Sequence, residues 1–245
     1  MGAVHLEIDG RIAELRLDNP GKLNALTVAM LGELEDHLRR IEHEASVGCV
    51  LLTATESRAF CSGADISGWG DLSPAEFSRH WIRDGHRVFD RLARLGKPTI
   101  AVIGAHAFGG GLELAVACDI RVMAPGAMLA LPETSIGIVP GWSGTQRLAR
   151  LLPEPVLKET VLFGRRLSAE RAHALGLVAE VAEDPLAAAR EIAARAVTLS
   201  PRATEIAKSM IHCACGEDRA AMVDSLASAA IAATDDRAEG VSAFR

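Results

Sequence analysis

Apolar residues near the start of the chain alternate with polar ones, as they do in a strand with one buried face. The alternation runs from Val4 to Ile8 and resumes from Ile12 to Leu17. The Asp9-Gly10 pair between the two runs favours a tight turn. The start of the chain therefore predicts a β-hairpin.

A helix and a buried strand are predicted after the hairpin. Thr27 can cap a helix, because its hydroxyl can accept a hydrogen bond from a backbone N–H of the first turn. Apolar residues then recur at helical spacing on one face: Leu31, Leu34, Leu38 and Ile41. The apolar run from Val47 to Thr53 is typical of a buried strand.

Strands and helices alternate in the middle of the chain. The strand predicted for Thr99–Ile103 leads to the glycines Gly109–Gly111, and a short apolar helix is predicted for Leu112–Cys118. Further short strands are predicted for Ile120–Ala124 and Met128–Leu131. This alternation is typical of a layered α/β fold.

The chain beyond Gly144 is predicted to be helical throughout. Capping residues indicate helix starts at Ser168, Asp184 and Ser200, and Gly176 predicts a helix end.

Two alanine-rich segments, Leu186–Leu199 and Ala220–Ala233, offer little apolar side-chain area per residue. Such segments often pack against something besides their own core. We therefore interpret them as a subunit interface.

Composition narrows the class of protein. A chain of 245 residues that is 49% hydrophobic can bury a substantial core, and no linker forces a second domain. The net charge of −6 and the lack of tyrosine argue against a surface for nucleic acid or anionic lipid. The five cysteines contain no C-x-x-C pair, which favours free thiols over a zinc site. Because the sequence has neither a leader-like N-terminus nor a run of 18 apolar residues, we expect a soluble cytoplasmic protein.

Three consecutive glycines, Gly109–Gly111, stand at the predicted turn from strand to helix. They let the backbone approach a ligand closely, and the helix start presents unpaired N–H groups to an anion or to a developing oxyanion. The spacing matches neither a dinucleotide fingerprint nor a P-loop, so a nucleotide site is weakly supported. A second small-residue loop, Ala59–Ile66, could supply another N–H donor, although taken alone it is most simply a turn.

Two lone acidic residues stand in apolar or glycine-rich surroundings. Glu113 lies in the first turn of the predicted helix, and Glu133 follows Pro132. The simplest interpretation of Glu113 is a carboxylate that stabilises the helix dipole. The alternative is a general acid or base whose pKa is raised by apolar neighbours, with both carboxylates sharing one water.

These segments together resemble the enoyl-CoA hydratase/isomerase family, also called the crotonase superfamily. The resemblance runs from about Ile12 to the C-terminus. It rests on six segments in the family's order: Asn19–Leu26, Phe60–Ile66, Lys97–Gly104, Gly109–Glu113, Pro132-Glu133 and Gly137–Leu148.

The resemblance implies an α/β fold, the crotonase spiral of ββα turns with a C-terminal helical trimerisation region. Residues 1–190 would form the spiral core with the acyl-CoA site, and residues 191–245 would pack on the core and on neighbouring subunits. The implied assembly is a homotrimer or a dimer of trimers, with no nucleic-acid or membrane partner. The implied substrate is an acyl-CoA thioester of fatty acid metabolism. No separate cofactor is expected, since CoA is part of the substrate.

Carried over by position, the resemblance implies a role for each site residue. The backbone N–H groups of Ala64 and Gly110 would form an oxyanion hole for the thioester oxygen. Glu113 would act as the base on water and Glu133 as the acid, with the Gly141 N–H helping to hold the water. Together they would hydrate a 2-enoyl-CoA to a 3-hydroxyacyl-CoA. The implied CoA-binding residues are Lys22, Leu23, Ser62, Gly63, Ala64, Asp65 and Ile66.

Other activities of the family stay open: isomerisation of an enoyl-CoA, hydrolysis of an acyl-CoA thioester, or a non-catalytic, RNA-binding role. Isomerases of the family characteristically lack the glutamate at position 113, so the presence of both glutamates favours hydration.

Two positions depart from many members of the family. Ser67-Gly68 stand where a lysine is common, which makes Lys22 the nearest candidate for the CoA phosphates, with Arg79 and Arg83 as others. Trp142 stands where a small residue is common. We predict that this indole narrows or walls the acyl pocket and selects a short or branched acyl group.

Ser143 and His106 are weaker candidates for chemistry. Gly141–Gly144 has only part of the nucleophile-elbow pattern, so the Ser143 hydroxyl is predicted to cap the following helix. His106 is interpreted as a packing residue near the pocket.

Overall fold

A computed structural model describes residues 2–68 and 70–244. Its strands are, in chain order, β1 (Ala3–Asp9), β2 (Ile12–Asp18), β3 (Cys49–Ala54), β4 (Ala59–Cys61), β5 (Thr99–Ile103), β6 (His106–Phe108), β7 (Ile120–Met123), β8 (Met128–Ala130), β9 (Leu167–Ser168) and β10 (Glu180–Val181). Its α-helices are α1 (Val28–His43), α2 (Pro74–Glu76), α3 (Arg83–Arg94), α4 (Gly110–Ala115), α5 (Gly144–Leu151), α6 (Glu154–Leu162), α7 (Ala169–Ala174), α8 (Pro185–Ala196), α9 (Pro201–Ala214), α10 (Arg219–Ala232) and α11 (Asp235–Phe244).

From β3 to β8, successive strands of the chain belong alternately to two sheets. The larger sheet has the order β1-β2-β3-β5-β7-β10, and the smaller has the order β4-β6-β8-β9. Only the β1–β2 and β8–β9 pairs of these sheets are antiparallel. Each successive pair, β3–β4, β5–β6 and β7–β8, therefore adds one parallel strand to each sheet. The result is the predicted spiral.

The hairpin and the first helix form as predicted. β1 and β2 pair with Leu6 opposite Leu15, on either side of Gly10, whose φ of 56° only glycine adopts readily. The Thr27 hydroxyl accepts a hydrogen bond from the Met30 N–H at 3.2 Å. The predicted face of α1 is buried: Leu31, Leu34, Leu38 and Ile41.

The prediction that the chain beyond Gly144 is helical throughout is wrong at two places. The short strands β9 and β10 interrupt the helices and pair with β8 and β7. A strand of two residues has no alternating pattern, so the sequence carried no signal for it. The predicted caps are confirmed, because the side chains of Ser168, Asp184 and Ser200 each accept a backbone N–H of the helix that follows.

The described residues form two compact units, one up to Leu199 and one from Ser200 onward. The predicted boundary at residue 190 falls inside α8. Ala189 and Ala193 of that helix are fully buried against β3, β5 and β7, so α8 belongs to the first unit. On this face of α8 the small side chains allow close packing on the protein's own sheet. A subunit interface for the rest of Leu186–Leu199 stays a prediction.

The second unit contains α9, α10 and α11. None of the described residues of α10 is buried, and Val223 and Ile231 are exposed. The packing of this unit on neighbouring subunits stays a prediction. Among the helices of residues 2–68 and 70–244, none is both long enough and apolar enough to span a membrane.

Candidate active site

Three loops meet where the parallel strands β4, β6 and β8 end. Because these strands are neighbours in one sheet, the segments that follow them lie side by side at the same edge. Ala64 follows β4, Gly110 and Glu113 follow β6, and Glu133 follows β8. These residues line one cavity of about 210 Å³, together with Gly141. The structure thus brings all five residues predicted to take part in catalysis to a single cavity.

Two backbone N–H groups at this cavity, those of Ala64 and Gly110, take no part in the regular hydrogen bonds of the strands and helices. Ala64 and Leu26 form a single parallel bridge, whose hydrogen bonds use the N–H groups of Leu26 and Asp65 rather than that of Ala64. The Gly110 N–H lies in the first turn of α4, where N–H groups have no carbonyl partner within the helix. The two residues are close, since a Cβ built on Gly110 would lie 3.5 Å from the Ala64 nitrogen.

The glycines at the start of α4 are required by packing. A Cβ on Gly111 would lie 2.3 Å from the carbonyl oxygen of Cys61, at the end of β4. Gly109 has a φ of 52°, and a Cβ there would lie 3.0 Å from Glu133 Oε1. Only glycine lets α4 start this close to β4 and to the Glu133 carboxyl group.

Glu113 is buried and is held by the loop that precedes α5. Its Oε1 accepts hydrogen bonds from the N–H groups of Trp142 and Gly144, each at 2.9 Å. Gly144 must be glycine for this approach, because a Cβ there would lie 2.5 Å from Glu113 Cγ. Burial raises the pKa of Glu113, while the N–H groups of Gly144, Trp142 and Gly141 and the charge of Arg147 oppose that rise. These N–H donors favour the ionised form, which can accept a proton.

Glu133 is also buried, but it has fewer hydrogen-bond partners than Glu113. It is 7% exposed, and its Oε2 is buried without a hydrogen-bond partner among the described residues. Burial, and then the charge of Glu113, raise the pKa of Glu133 to about 7. The cavity therefore contains one carboxyl group held by backbone N–H donors and one whose pKa lies near neutrality.

Helix α3 supports the loop that holds Glu113. Arg147 donates to the Trp142 carbonyl oxygen at 2.9 Å and pairs with Asp90 of α3 at 3.2 Å. The Trp142 indole packs on Phe89 with ring centroids 5.0 Å apart, and its Nε1 donates to the Trp81 carbonyl oxygen at 3.3 Å. Sequence reasoning missed this support, because the pairing of Arg147 with Asp90 joins residues far apart in the chain.

Apolar side chains close the rest of the cavity. Trp142 is buried and lines it, as predicted. Phe77, Trp81 and Ile82 also line it, and sequence reasoning missed all three. No motif marked them, because they lie on a helical segment outside the recognised motifs.

The predicted CoA-binding residues divide into two groups. Ser62, Gly63, Ala64 and Ile66 line the cavity. Lys22, Leu23 and Asp65 do not, but they adjoin that segment. Lys22 Nζ lies 2.7 Å from Asp65 Oδ2, and the Leu23 carbonyl accepts the Ser62 N–H at 3.0 Å. This pairing with Lys22 holds the pKa of Asp65 below its usual range.

The prediction that Ser143 caps α5 is wrong. Ser143 has a φ of 68°, its side chain makes no capping bond, and its hydroxyl instead lies 2.8 Å from Nδ1 of His86. His106 packs within the smaller sheet, where Nδ1 accepts the Met128 N–H at 3.2 Å and the ring stacks on Phe108.

A spiral of parallel strands brings two buried carboxyl groups and the N–H groups of Ala64 and Gly110 to one cavity, an arrangement that suits acid–base chemistry beside a carbonyl group. The chain belongs to the enoyl-CoA hydratase/isomerase family, whose model matches residues 7–245.

Relatives of known name support this membership. The short-chain-enoyl-CoA hydratase of Clostridium acetobutylicum is 35% identical, over 98% of this chain and 94% of that protein. The crotonyl-CoA hydratase of Syntrophomonas wolfei is 32% identical, over 98% of this chain and 93% of that protein. The crystal structure of the enoyl-CoA hydratase of Bacillus anthracis superposes with a TM-score of 0.84 at 34% identity, covering 98% of this chain and 95% of that one. The resemblance and the fold expected from the sequence are thereby confirmed.

Proposed function

We propose that this enzyme adds water across the C2=C3 double bond of a short 2-enoyl-CoA and yields a 3-hydroxyacyl-CoA. The observation that carries the proposal is the meeting of Glu113 and Glu133 with the Ala64 and Gly110 N–H groups in one cavity. The names of the relatives point to the same reaction.

The two N–H groups would bind the thioester oxygen. Attack of water at C3 moves electron density onto that oxygen and creates an enolate. A preorganised donor aimed at such an oxygen typically lowers the barrier by about 3–4 kcal/mol. Because Gly110 starts α4, the helix dipole adds to the stabilisation.

The two carboxyl groups would divide the proton transfers. Glu113, held by backbone N–H groups that favour its ionised form, takes a proton from water as the water oxygen attacks C3. Glu133, with a pKa of about 7, delivers a proton to C2 as the enolate collapses. Glu113 then carries the proton taken from water and Glu133 is ionised, and proton exchange with solvent restores both carboxyl groups to their resting state.

The CoA moiety would lie against the segment Ser62–Ile66, with Lys22 beside it. The Lys22 ammonium is half exposed although it is paired with Asp65. It can therefore meet a phosphate without first leaving a buried site.

The proposal is tested with crotonyl-CoA and two variants. We expect the wild type to form 3-hydroxybutyryl-CoA, and Glu113→Gln to lower kcat by about 10²–10⁴-fold, because the amide cannot take a proton from water. The exposed Glu154→Gln is the control. Conversion to an isomeric enoyl-CoA, or release of free CoA, would assign one of the other reactions of the family.

A further inference from the structure

Trp81 separates two cavities. Its indole is 5% exposed, and it lines both the catalytic cavity and a second cavity of about 500 Å³. On the catalytic side its ring lies 5.3 Å from that of Trp142, between centroids. On the other side a Cβ built on Gly68, which lines the second cavity, would lie 3.6 Å from Trp81 Cζ3. One side chain is therefore the wall between the cavities at this point.

Apolar side chains flank the indole on both sides. Phe77 and Ile82 lie with it on the catalytic side. In the second cavity the apolar residues are Val28, Leu31, Leu72 and Val88. Polar residues line that cavity as well: His80 and two ion pairs, Glu35 with Arg39 at 3.6 Å and Asp84 with Arg87 at 3.4 Å. A hydrocarbon chain that passed Trp81 would thus meet apolar side chains and neutralised charges.

The backbone that carries Trp81 is unusual. Residues Phe77–Ile82 form a π-helical segment between α2 and α3. Such segments insert an extra residue into a helix and are common at functional sites. Trp81 is the buried residue of this segment, and its carbonyl oxygen accepts the Trp142 indole N–H at 3.3 Å.

We propose that Trp81 sets the upper limit on acyl-chain length, by closing the catalytic cavity and excluding the acyl chain from the second cavity. This inference rests on the proposed function. It assigns the short acyl group as substrate, and it assigns the limit to a residue outside the motifs of the family.

The test compares kcat/KM for crotonyl-CoA and for trans-2-decenoyl-CoA. We expect the wild type to prefer crotonyl-CoA, and Trp81→Ala to shift the ratio toward decenoyl-CoA by roughly tenfold or more, since each buried methylene favours binding by about fourfold. Phe163→Ala is the control. Phe163 is an exposed aromatic residue that lines neither cavity, so its removal leaves the ratio unchanged.

Two further variants keep the test decisive. Trp81→Leu leaves a smaller void if Trp81→Ala does not fold, and it shifts the ratio in the same direction. Val88→Phe added to either variant refills the second cavity and restores the preference for crotonyl-CoA. A wild type that hydrates both substrates equally, or a ratio that is unchanged in the Trp81 variants, overturns the inference. A wild type that hydrates neither substrate overturns the proposed function instead.

Discussion

Glu113 and Glu133 have the same side chain and line the same cavity, yet their partners differ. Glu113 accepts two backbone hydrogen bonds at 2.9 Å, whereas one oxygen of Glu133 is buried with none among the described residues. Hydrogen bonds to a carboxylate favour its charged form, and burial without them favours the neutral form. At the scale of single residues, the proposed function assigns the role of proton acceptor to Glu113 and that of proton donor to Glu133 on the basis of this difference.

The raised pKa of Glu133 predicts a pH-dependent cost to stability. Its pKa rises from 4.5 unfolded to about 7 folded, so the folded state binds the proton more tightly. The stabilisation of the folded state by this proton is complete below pH 4.5 and is lost as pH rises through about 7. The amide of Glu133→Gln does not titrate. We therefore expect the free energy of unfolding of the wild type to fall by roughly 2–3 kcal/mol relative to that of Glu133→Gln between pH 4.5 and pH 8.

Urea unfolding at the two pH values measures this gain, and the exposed Glu183→Gln is the control for loss of a surface carboxylate. A difference between Glu133→Gln and the wild type that does not change with pH would show that the buried carboxyl group is not protonated in the folded state.

The residue scale also shows what the sequence could predict of the site. Gly109, Gly110 and the two glutamates are marked by their neighbours in the chain, and all four line one cavity. Trp81 and Arg147 acquire their roles from residues far away in sequence, Trp142 and Asp90. The predicted cap at Ser143 is wrong because its backbone has a left-handed φ and its hydroxyl contacts His86 on α3. The local sequence indicates neither feature.

At the scale of elements, α3 and α5 together place the Glu113 loop. Arg147 on α5 joins Asp90 on α3 to the Trp142 carbonyl, and the N–H of the same residue, Trp142, donates to Glu113. The Arg147 charge also lowers the pKa of Glu113. Arg147 is thus a positioning residue that acts through the loop.

Removal of Arg147 should change the pH profile as well as the rate. We expect Arg147→Met to lower kcat about tenfold or more and to move the acidic limb of the kcat profile to higher pH, because Glu113 loses a nearby cation. Arg147→Lys keeps the charge and the position of that limb. Arg190→Met, which removes a cation from α8, is the control. An Arg147→Met enzyme with reduced kcat and an unmoved limb would leave Arg147 with a purely structural role.

Alanine substitutions at two glycines, one in α4 and one in α1, test whether packing requires glycine at the start of α4. Gly111→Ala places a Cβ 2.3 Å from the Cys61 carbonyl oxygen, so we expect it to destabilise the fold by about 2 kcal/mol or more. Gly32 lies inside α1 with nothing within 4 Å of its Cβ position. Gly32→Ala should stabilise the fold by about 0.5–1 kcal/mol. Denaturant unfolding measures both, and equal effects would contradict the packing described for α4.

The elements that could be predicted have a local cause. The hairpin has its Asp-Gly turn, and α1, α7, α8 and α9 have capping side chains. The strands β9 and β10 could not be predicted, because pairing with β8 and β7 alone gives two residues an extended form. Small residues suit a subunit contact and a tightly packed sheet equally well. The sequence alone therefore does not show which of the two the alanines of α8 serve.

At the scale of the whole molecule, the net charge of −6 bears on how a polyanion is bound. A negative protein gives CoA no long-range attraction, so association depends on short-range contacts. On the proposed function, the backbone N–H groups of Ala64 and Gly110, the start of α4 and the partly exposed Lys22 would supply such contacts. Ala64 and Gly110 lie close together because they follow β4 and β6, which are neighbouring parallel strands of one sheet.

The central claim is that water is added to C3 while the thioester stays intact. Mass spectrometry of the products formed from crotonyl-CoA in ¹⁸O-labelled water tests it most directly. We predict 3-hydroxybutyryl-CoA with one ¹⁸O atom in its hydroxyl group and an unbroken bond to CoA. Label in a free carboxylate, or an unlabelled isomer of crotonyl-CoA, would contradict the account.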